Sequence, residues 1–458
     1  MSPSNKLADN LADSEAANIA LAQKLIALTQ AAGADAADVL VSDSASLSVS
    51  CRMGALEDTE RAESRDIGLR AMIGQKQAFV SGSAVDEAAL KQLAQRAVDM
   101  AAATPEDRFC GFAPADLLTS DIPALDIADD YEPDADKLLA MAVACEDAAR
   151  SVDGITNSEG AGAGWGRATT ALVTSHGFEG AYTSTSFSAS CAVIGGEGDA
   201  MERDYASHTA RHLADLDAPE EIGTRAGERT IERLNPRKIA STKTNVVYGP
   251  RVSASLLGHL SAAISGSAIA RGTSFLRDKM DTQIMSAAIT VEDDPLRPRG
   301  LRSAGFDGEG VATAKLTPIK DGVLKNWWLD SALARQLDLQ TNGRAARGVG
   351  GPPGPSATNL YMQAGKDSVE TMLKNIGTGL YVTELIGMGV NGVTGDYSRG
   401  ASGFWIENGA LAYAVSEVTI AGNLQDMFMH MTPASDLSFR RGVNAPTILV
   451  EGMALAGL

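Results

Sequence analysis

Residues 183–191 read Thr-Ser-Thr-Ser-Phe-Ser-Ala-Ser-Cys, and the shorter run Ala-Leu-Val-Thr-Ser precedes them at 171–175. Serine occupies every second position of the longer segment, which is the two-residue period of a strand with one buried face. Gly, Ser and Thr dominate the surrounding sequence, without the helical segments that would connect parallel strands. The two runs therefore predict a meandering antiparallel sheet.

The sequence before this sheet carries helical and strand patterns in turn. Apolar residues recur at helical spacing over 16–33, and strand-like alternation follows at 38–52. Asp86 is a predicted cap for a helix over 87–103, and a further helix is predicted over 134–152. These patterns predict an N-terminal α+β domain whose antiparallel sheet is flanked by helices. Its boundary is predicted near Asn235, so that the domain spans residues 1–235.

The second half of the chain, residues 236–458, shows a different sequence pattern. A strand at 246–248 and a helix at 251–267 are followed by short strands separated by Gly, Asp and Pro. This pattern predicts a β-rich, barrel-like C-terminal domain over residues 236–458. The predicted fold class is therefore α+β, with two domains in a chain of 458 residues.

Composition excludes several classes of function. The net charge is −19 and the pI is near 4.7, which disfavours direct binding to nucleic acid because phosphate contacts require clustered Lys and Arg. The sequence has no apolar run long enough to span a membrane, and its first residues lack the features of a signal peptide. Four scattered cysteines predict reduced thiols. We expect a cytoplasmic protein.

Three motifs could carry chemistry but have simpler interpretations. His208 and His212 have a helical spacing that would suit zinc, yet the run lacks the glutamate of a metalloprotease motif, so a solvated surface pair is favoured. The G-x-G-x-x-G that begins at Gly387 leads into a turn, where strand and turn glycines explain it. Asp307 and Glu309 suit a hairpin turn better than a calcium loop, which needs more ligands.

Several segments resemble the TldD/PmbA peptidase-like family, and the resemblance covers nearly the whole length. They occur in family order at 52–57, 67–70, 306–311, 321–324 and 358–361. The most specific segment is Val-Thr-Gly-Asp-Tyr-Ser-Arg-Gly at 393–400, continued by Gly-Phe-Trp-Ile-Glu-Asn-Gly at 403–409. That segment is similar to the PmbA (TldE) branch rather than the TldD branch.

The resemblance implies where a zinc site would lie. The TldD branch carries His-Glu-x-x-x-His on an early helix of the C-terminal domain and a cysteine near the C-terminus. Here the matching helix has His259, but Leu260 stands in the place of the glutamate and Ile264 in the place of the second histidine. The last cysteine is Cys191. The resemblance thus implies no catalytic residue and no metal in this chain, with zinc held only by a TldD-type partner.

The resemblance also implies partners and substrates. A PmbA-type chain pairs with a TldD-type paralogue in a heterodimer that cleaves peptides and unfolded proteins, including a peptide precursor and an antitoxin. Alone, the chain is expected to form a homodimer. Residues 395–403 are expected to form a turn facing the inter-subunit chamber, with Arg399 as its charged contact; the simpler interpretation is a turn braced by Asp396 and Arg399. The candidate contacts with peptide are Asp396, Tyr397, Ser398, Arg399 and Ser402.

Two other functions stay open from the sequence. An active hydrolase with a different site would need a catalytic group that no motif identifies. A non-enzymatic adaptor acting on DNA gyrase would agree with the older family label "modulator of DNA gyrase". The acidic composition argues against the adaptor if it must contact DNA.

Overall fold

A computed structural model describes the backbone of residues 3–458 and the side chains of residues 11–458. The start of the N-terminal sequence, on which the expectation of a cytoplasmic protein partly rests, lies outside the described residues. Residues 3–458 contain nine α-helices: α1 (Pro3–Ala31), α2 (Glu87–Ala103), α3 (Ala135–Arg150), α4 (Pro219–Glu232), α5 (Pro250–Ala263), α6 (Gly266–Ala270), α7 (Ser331–Gln336), α8 (Val369–Ile376) and α9 (Leu424–Met429). Among these helices, none combines the length and apolar character needed to cross a lipid bilayer.

The strands of the same residues follow this order: β1 (Ala36–Arg52), β2 (Ala55–Ile73), β3 (Lys76–Gly82), β4 (Ile155–Thr174), β5 (Glu179–Gly195), β6 (Glu202–Ala210), β7 (Thr242–Tyr248), β8 (Val291–Asp293), β9 (Leu316–Lys320), β10 (Val323–Leu324), β11 (Ala345–Ala346), β12 (Gly354–Pro355), β13 (Leu360–Met362), β14 (Gly379–Ile386), β15 (Asp396–Glu407), β16 (Ala410–Asn423), β17 (Met431–Pro433), β18 (Val443–Asn444) and β19 (Ile448–Ala456). The predicted strands at 171–175 and 183–191 are parts of β4 and β5.

The first six strands form one antiparallel sheet in the order β3-β2-β1-β4-β5-β6. Odd-numbered residues of β1 meet the helices: Val39 packs with α1 and α2, and Val49 packs with α3 and α4. Even-numbered Leu40 lies on the other face, against Phe306 of the second half. The predicted α+β domain with a helix-flanked antiparallel sheet is confirmed. Its helices cover one face, and the second half covers part of the other.

Capping residues begin α2 and α3, and the cap at Asp86 was predicted from the sequence. The Asp86 carboxylate accepts a hydrogen bond from the backbone N–H of Ala89 at 3.0 Å, at the start of α2. Asp134 accepts one from the N–H of Lys137 at 2.8 Å, at the start of α3. Each cap satisfies a backbone donor that the first helical turn leaves free.

The second half is built around a small barrel. Strands β16, β15, β14, β7 and β19 pair in sequence, and β16 also pairs with β19, which closes a ring of five strands. Strand β17 adds to β19 outside the ring. A five-stranded sheet in the order β10-β9-β8-β13-β18 packs beside it, and both share one large apolar core. The predicted β-rich, barrel-like domain is confirmed. The predicted boundary between residues 235 and 236 stays a prediction.

A buried charged cluster joins the two halves. Asp38 of β1 lies opposite Arg70 of β2 in the sheet register, and its carboxylate accepts a hydrogen bond from Arg70 Nε at 2.7 Å. Arg347, from the second half, contacts the other oxygen of Asp38. All three side chains are at most 5% exposed. Nearby, a Cβ on Gly68 would lie 2.4 Å from the carbonyl oxygen of Val349, so the close approach of the halves requires glycine there.

Candidate functional site

Helix α5 carries two of the three positions of the family's zinc helix, and the third, Ile264, is the residue that follows it. Pro250 occupies the first turn of α5, where a missing N–H costs nothing. The apolar side of the helix faces the large core. Leu260 and Ile264 are both fully buried in that core. His259 is one residue around the helix and only half-buried. The two positions that would need a carboxylate and an imidazole therefore hold apolar side chains with no donor atoms.

The structure brings His259 together with the segment around Arg399. The His259 and Tyr397 rings meet edge to face, with centroids 5.9 Å apart. Burial and the nearby Arg399 guanidinium lower the pKa of His259, which keeps the imidazole neutral. Within the described residues, His259 Nε2 and Arg399 Nε are buried without a hydrogen-bond partner. The histidine of the zinc-helix positions and the segment of candidate peptide contacts, which the sequence analysis treated separately, are therefore neighbours in the structure.

The predicted turn over residues 395–403 is wrong, because most of it is strand β15. Side chains alternate along a strand, so Tyr397 and Arg399 share one face while Asp396 and Ser398 lie on the other. Tyr397 is 2% exposed and packs in the large core, whereas Asp396 and Ser398 are exposed. Ser402 lies farther along the strand and is buried. The five candidates therefore do not converge on one surface.

The predicted brace between Asp396 and Arg399 is also wrong. Asp396 accepts hydrogen bonds from Thr394 Oγ1 at 2.6 Å and Asn423 Nδ2 at 3.1 Å. Within residues 11–458, Arg399 has no carboxylate within ion-pair distance. The reason is the strand geometry, which directs residues three apart to opposite faces.

Arg399 lines a cavity of about 260 Å³ beside α5. Ser255, one helical turn before His259, and Glu384 of β14 also line it. Glu384 is paired with Arg233 at 2.7 Å, and the Ser255 hydroxyl donates to the Val252 carbonyl at 2.6 Å. Ser255 therefore has no general base, and the cavity offers the Arg399 guanidinium, which could hold a polar group.

The histidine pair at 208 and 212 is neither helical nor solvated. His208 lies on β6, its side chain is 9% exposed, and its Nδ1 accepts a hydrogen bond from the backbone N–H of Asp217 at 3.0 Å. His212 follows the strand, and its Nε2 lies 2.9 Å from the carbonyl oxygen of Asp126. The prediction of a solvated pair is wrong, because both side chains are largely buried and each contacts a different partner.

The acidic pair Asp307 and Glu309 forms a turn, as predicted, but both carboxyls are buried. Burial and the neighbouring Glu309 raise the pKa of Asp307 to about 7. Its Oδ1 accepts hydrogen bonds from the N–H groups of Glu309 and Val311, at 2.9 and 3.0 Å. Oδ2 accepts one from Ala345 at 3.0 Å. These bonds to its own turn and a neighbouring loop indicate a structural role.

A zinc ion does not fit the donors around α5. Imidazole and thiolate are the ligands that tetrahedral zinc sites use, and only His259 supplies one here. Cys51, Cys145 and Cys191 are buried elsewhere, in the core beneath α3 and α4. In the part of the chain that the structure describes, no three His, Cys, Asp or Glu side chains are grouped so that they could hold a metal ion.

Sequence reasoning missed Ser255, Glu384 and the partly buried Arg251 as neighbours of Arg399. Glu384 lies on β14 and Arg399 on β15, and one loop joins the two strands. Recognising β14 and β15 as antiparallel neighbours would have placed both residues near the same end of this strand pair. Ser255 could have been found by helical spacing, because it lies four residues before His259.

Known proteins similar to the chain match it along most of its length. Models of PmbA/TldA metallopeptidase domain 1, central domain and C-terminal domain match residues 37–101, 128–234 and 241–457. Metalloprotease PmbA of Escherichia coli O157:H7 is 39% identical over 435 residues, which cover 94% of each chain. The Metalloprotease PmbA homolog of Haemophilus influenzae is 35% identical and also covers 94% of each chain.

Solved structures share the fold. A protein described as a modulator of DNA gyrase from Bacteroides thetaiotaomicron has a TM-score of 0.88 and 26% identity, covering 96% of this chain and 98% of its own. TldE from Thermococcus kodakarensis has a TM-score of 0.87 and 22% identity, covering 95% of this chain and 100% of its own. The second likeness shows the fold alone. With the family models and the 39% identity to PmbA, these matches establish that the chain belongs to the PmbA/TldD metallopeptidase family.

Proposed function

We propose that the chain is the non-catalytic, PmbA/TldE-type subunit of a TldD/TldE zinc metalloprotease complex that acts on peptides and unfolded proteins. The observation that carries the proposal is the composition of α5. Leu260 and Ile264 are fully buried in the core, and neither can bind zinc or accept a proton from water. A metalloprotease reaction in such a complex would use zinc held by the partner.

Membership of the family supports the rest of the proposal. The partner is a TldD-type paralogue, the substrates include a peptide precursor and an antitoxin, and the complex works in the cytoplasm without membrane or nucleic acid. A pseudo-symmetric pair can close a chamber while only one subunit carries metal. In that arrangement, the cavity beside Arg399 would contact peptide from the metal-free side.

Reconstitution with the partner tests the proposal. The chain would be co-expressed with the His-Glu-x-x-x-His paralogue of the same cell, and peptide cleavage would be measured for each chain and for the pair. We expect the two chains to co-purify and the pair to cleave. Cleavage by this chain alone, insensitive to a zinc chelator, would instead support the active hydrolase.

Metal content is the first specific prediction. The purified chain is expected to hold far less than one equivalent of zinc, because α5 supplies one imidazole and no second donor. Elemental analysis after dialysis measures this directly. One tightly held zinc per chain, lost on replacing His259 or His208, would contradict the prediction.

Assembly is the second prediction. The chain alone is expected to form a twofold dimer, because a surface that pairs with a homologous partner can also meet its own copy. Light scattering at micromolar concentration measures the mass, with 47.5 kDa as the value for one chain. A strictly monomeric chain would count against it.

The third prediction concerns Arg399. Arg399→Ala is expected to lower cleavage by the reconstituted pair about tenfold, because its guanidinium lines the cavity without an ion-pair partner. The melting temperature should change by no more than about 2 °C, since a partly exposed, unpaired side chain contributes little to stability. The control is Arg271→Ala, which removes an exposed arginine at the end of α6. Unchanged cleavage with a drop of several degrees would show that Arg399 only stabilises the fold.

A further inference from the structure

A second cavity, of about 360 Å³, lies between the two halves of the chain and is lined mainly by arginines. Strand β6 and the turn after it form one side, and loops of the second half form the other. The lining guanidinium groups belong to Arg211, Arg297, Arg299, Arg440 and Arg441. Only two carboxylates line the same cavity, Asp215 and Asp217. This excess of positive charge is unexpected in a chain whose net charge is −19.

Both carboxylates already have partners. Asp215 accepts a hydrogen bond from Arg299 Nη1 at 2.9 Å. Asp217 pairs with Arg440 at 2.6 Å and with Arg225 at 3.0 Å. The two aspartates therefore neutralise Arg299 and Arg440, and they leave nothing for the other guanidinium groups of the cleft.

Three arginines of the cleft have no carboxylate partner among the side chains of residues 11–458. Arg211 donates only to backbone carbonyls, at 3.0 Å to Thr185 and 2.5 Å to Leu301. Arg297 stacks on the Phe439 ring, with its guanidinium carbon 3.4 Å from the ring centroid. Arg441 donates to a backbone carbonyl at 3.3 Å. Carbonyl oxygens satisfy hydrogen bonds but do not cancel charge, so three like charges share one cavity.

The histidine of the cleft does not change this balance. His208 Nδ1 accepts the N–H of Asp217, so that nitrogen carries no proton. Burial lowers the pKa of His208, and the nearby Arg440 and Arg225 oppose the effect of Asp217. A neutral His208 can still donate from Nε2 to a bound group.

We propose that this cleft is an oxyanion-binding site, which takes a ligand carrying two or more carboxylate or phosphate groups. Planar guanidinium groups match both oxyanions in geometry, and charge-assisted hydrogen bonds to them are stronger than neutral ones. The volume lies in the range of small-ligand sites. Because Arg211 comes from the first half and Arg297 and Arg441 from the second, a bound anion bridges the two halves. The inference does not depend on the proposed peptidase complex.

Isothermal titration calorimetry of the full chain at low ionic strength tests the site. Pyrophosphate probes phosphate chemistry, tetraglutamate probes the carboxylates of an acidic peptide, and tetraglutamine is the uncharged control peptide. The test variant is Arg297→Gln with Arg441→Gln. Its matched control is Arg271→Gln, which removes the same charge at an exposed position outside the cleft. Arg441→Gln alone, at an exposed side chain, carries the test if the double variant melts early.

We expect at least one charged probe to bind with a Kd below about 1 mM, and the double variant to bind about tenfold more weakly or worse. Arg271→Gln should stay within about twofold of the unchanged chain. Binding of tetraglutamate alone would identify an acidic peptide as the source of the anion, and binding of pyrophosphate alone would identify a phosphate compound. The proposal fails if neither probe binds at about 10 mM, if tetraglutamine binds as well as tetraglutamate, or if the cleft variants bind like Arg271→Gln.

Discussion

Asp38→Ala is expected to destabilise the folded chain by about 3–5 kcal/mol, because it leaves two buried arginines without their counter-ion. Asp38 is the carboxylate that Arg70 and Arg347 share, and the exposed fraction of each side chain is 5% or less. Arg347 belongs to the second half, so the loss would also loosen the contact between the halves. Urea denaturation followed by tryptophan fluorescence measures the change.

The same strand offers a matched control. Asp43 pairs with Arg65 at 2.5 Å, but the Arg65 side chain is 43% exposed. Asp43→Ala should therefore cost less than about 1 kcal/mol. Equal losses for the two variants would show that burial does not distinguish these pairs.

Acid pH should destabilise the buried cluster of Asp38, Arg70 and Arg347, as Asp38→Ala does. Burial opposes ionisation of Asp38, but the Arg347 and Arg70 guanidinium groups outweigh it and hold its pKa below the usual value. A lowered pKa in the folded chain contributes stability above the unfolded value of about 3.9, and that contribution is lost as the pH falls through the folded value. The difference between the unchanged chain and Asp38→Ala should thus shrink below about pH 4.

Leu260→Glu is expected to cost about 3 kcal/mol or more and to create no zinc site. The change restores the glutamate of the family motif, yet Leu260 is fully buried among the apolar side chains of the core. The variant would lose the burial of a leucine and place a carboxylate among apolar side chains. Thermal unfolding and elemental zinc analysis of the variant, alone and with Ile264→His, measure both effects.

Gly258→Glu is the control for this substitution. It adds the same charge two residues earlier on α5, at an exposed position with no heavy atom within 4 Å of its added Cβ. Glutamate favours a helix over glycine by up to about 1 kcal/mol, so stability should be unchanged or slightly higher. If Leu260→Glu with Ile264→His folds normally and binds zinc, the core around α5 can accommodate a metal site and this prediction is wrong.

The sequence predicted a helix cap and strands correctly where residues close together in the chain determine them. Asp86 was predicted as a helix cap, because a cap depends on residues only a few positions away. The serine alternation at 183–191 identified β5, because a strand with one buried face imposes that period. The sequence from Leu213 to Leu234 predicts one helix, but α4 begins only at Pro219, since residues 213–215 form a separate 3-10 turn.

The site depended on distant contacts that no local pattern contains. His259 lies on α5 and Tyr397 on β15. Their rings come into contact only once the strands of the barrel are assembled in their order. Residues 395–403 were predicted as a turn because polar residues stand there among small ones, with Gly395 and Gly400 suited to tight turns. In the structure, Gly403 allows close strand pairing instead, since a Cβ there would lie 1.9 Å from the carbonyl oxygen of Tyr381. Glycine has both uses, and sequence alone does not separate them.

The closed ring of strands also fixes the order in which the chain can acquire structure during synthesis. Strand β7 ends at Tyr248, but its antiparallel neighbour β19 begins only at Ile448, after all the other strands of the ring. The strands of the first sheet all lie before residue 211 and can pair while the ribosome is still translating the second half. The ring cannot close until residues 448–456 emerge, and pairing between such distant segments is intrinsically slow. Nascent chains therefore spend most of their elongation with the ring's core open, and removing β19 would leave it open permanently.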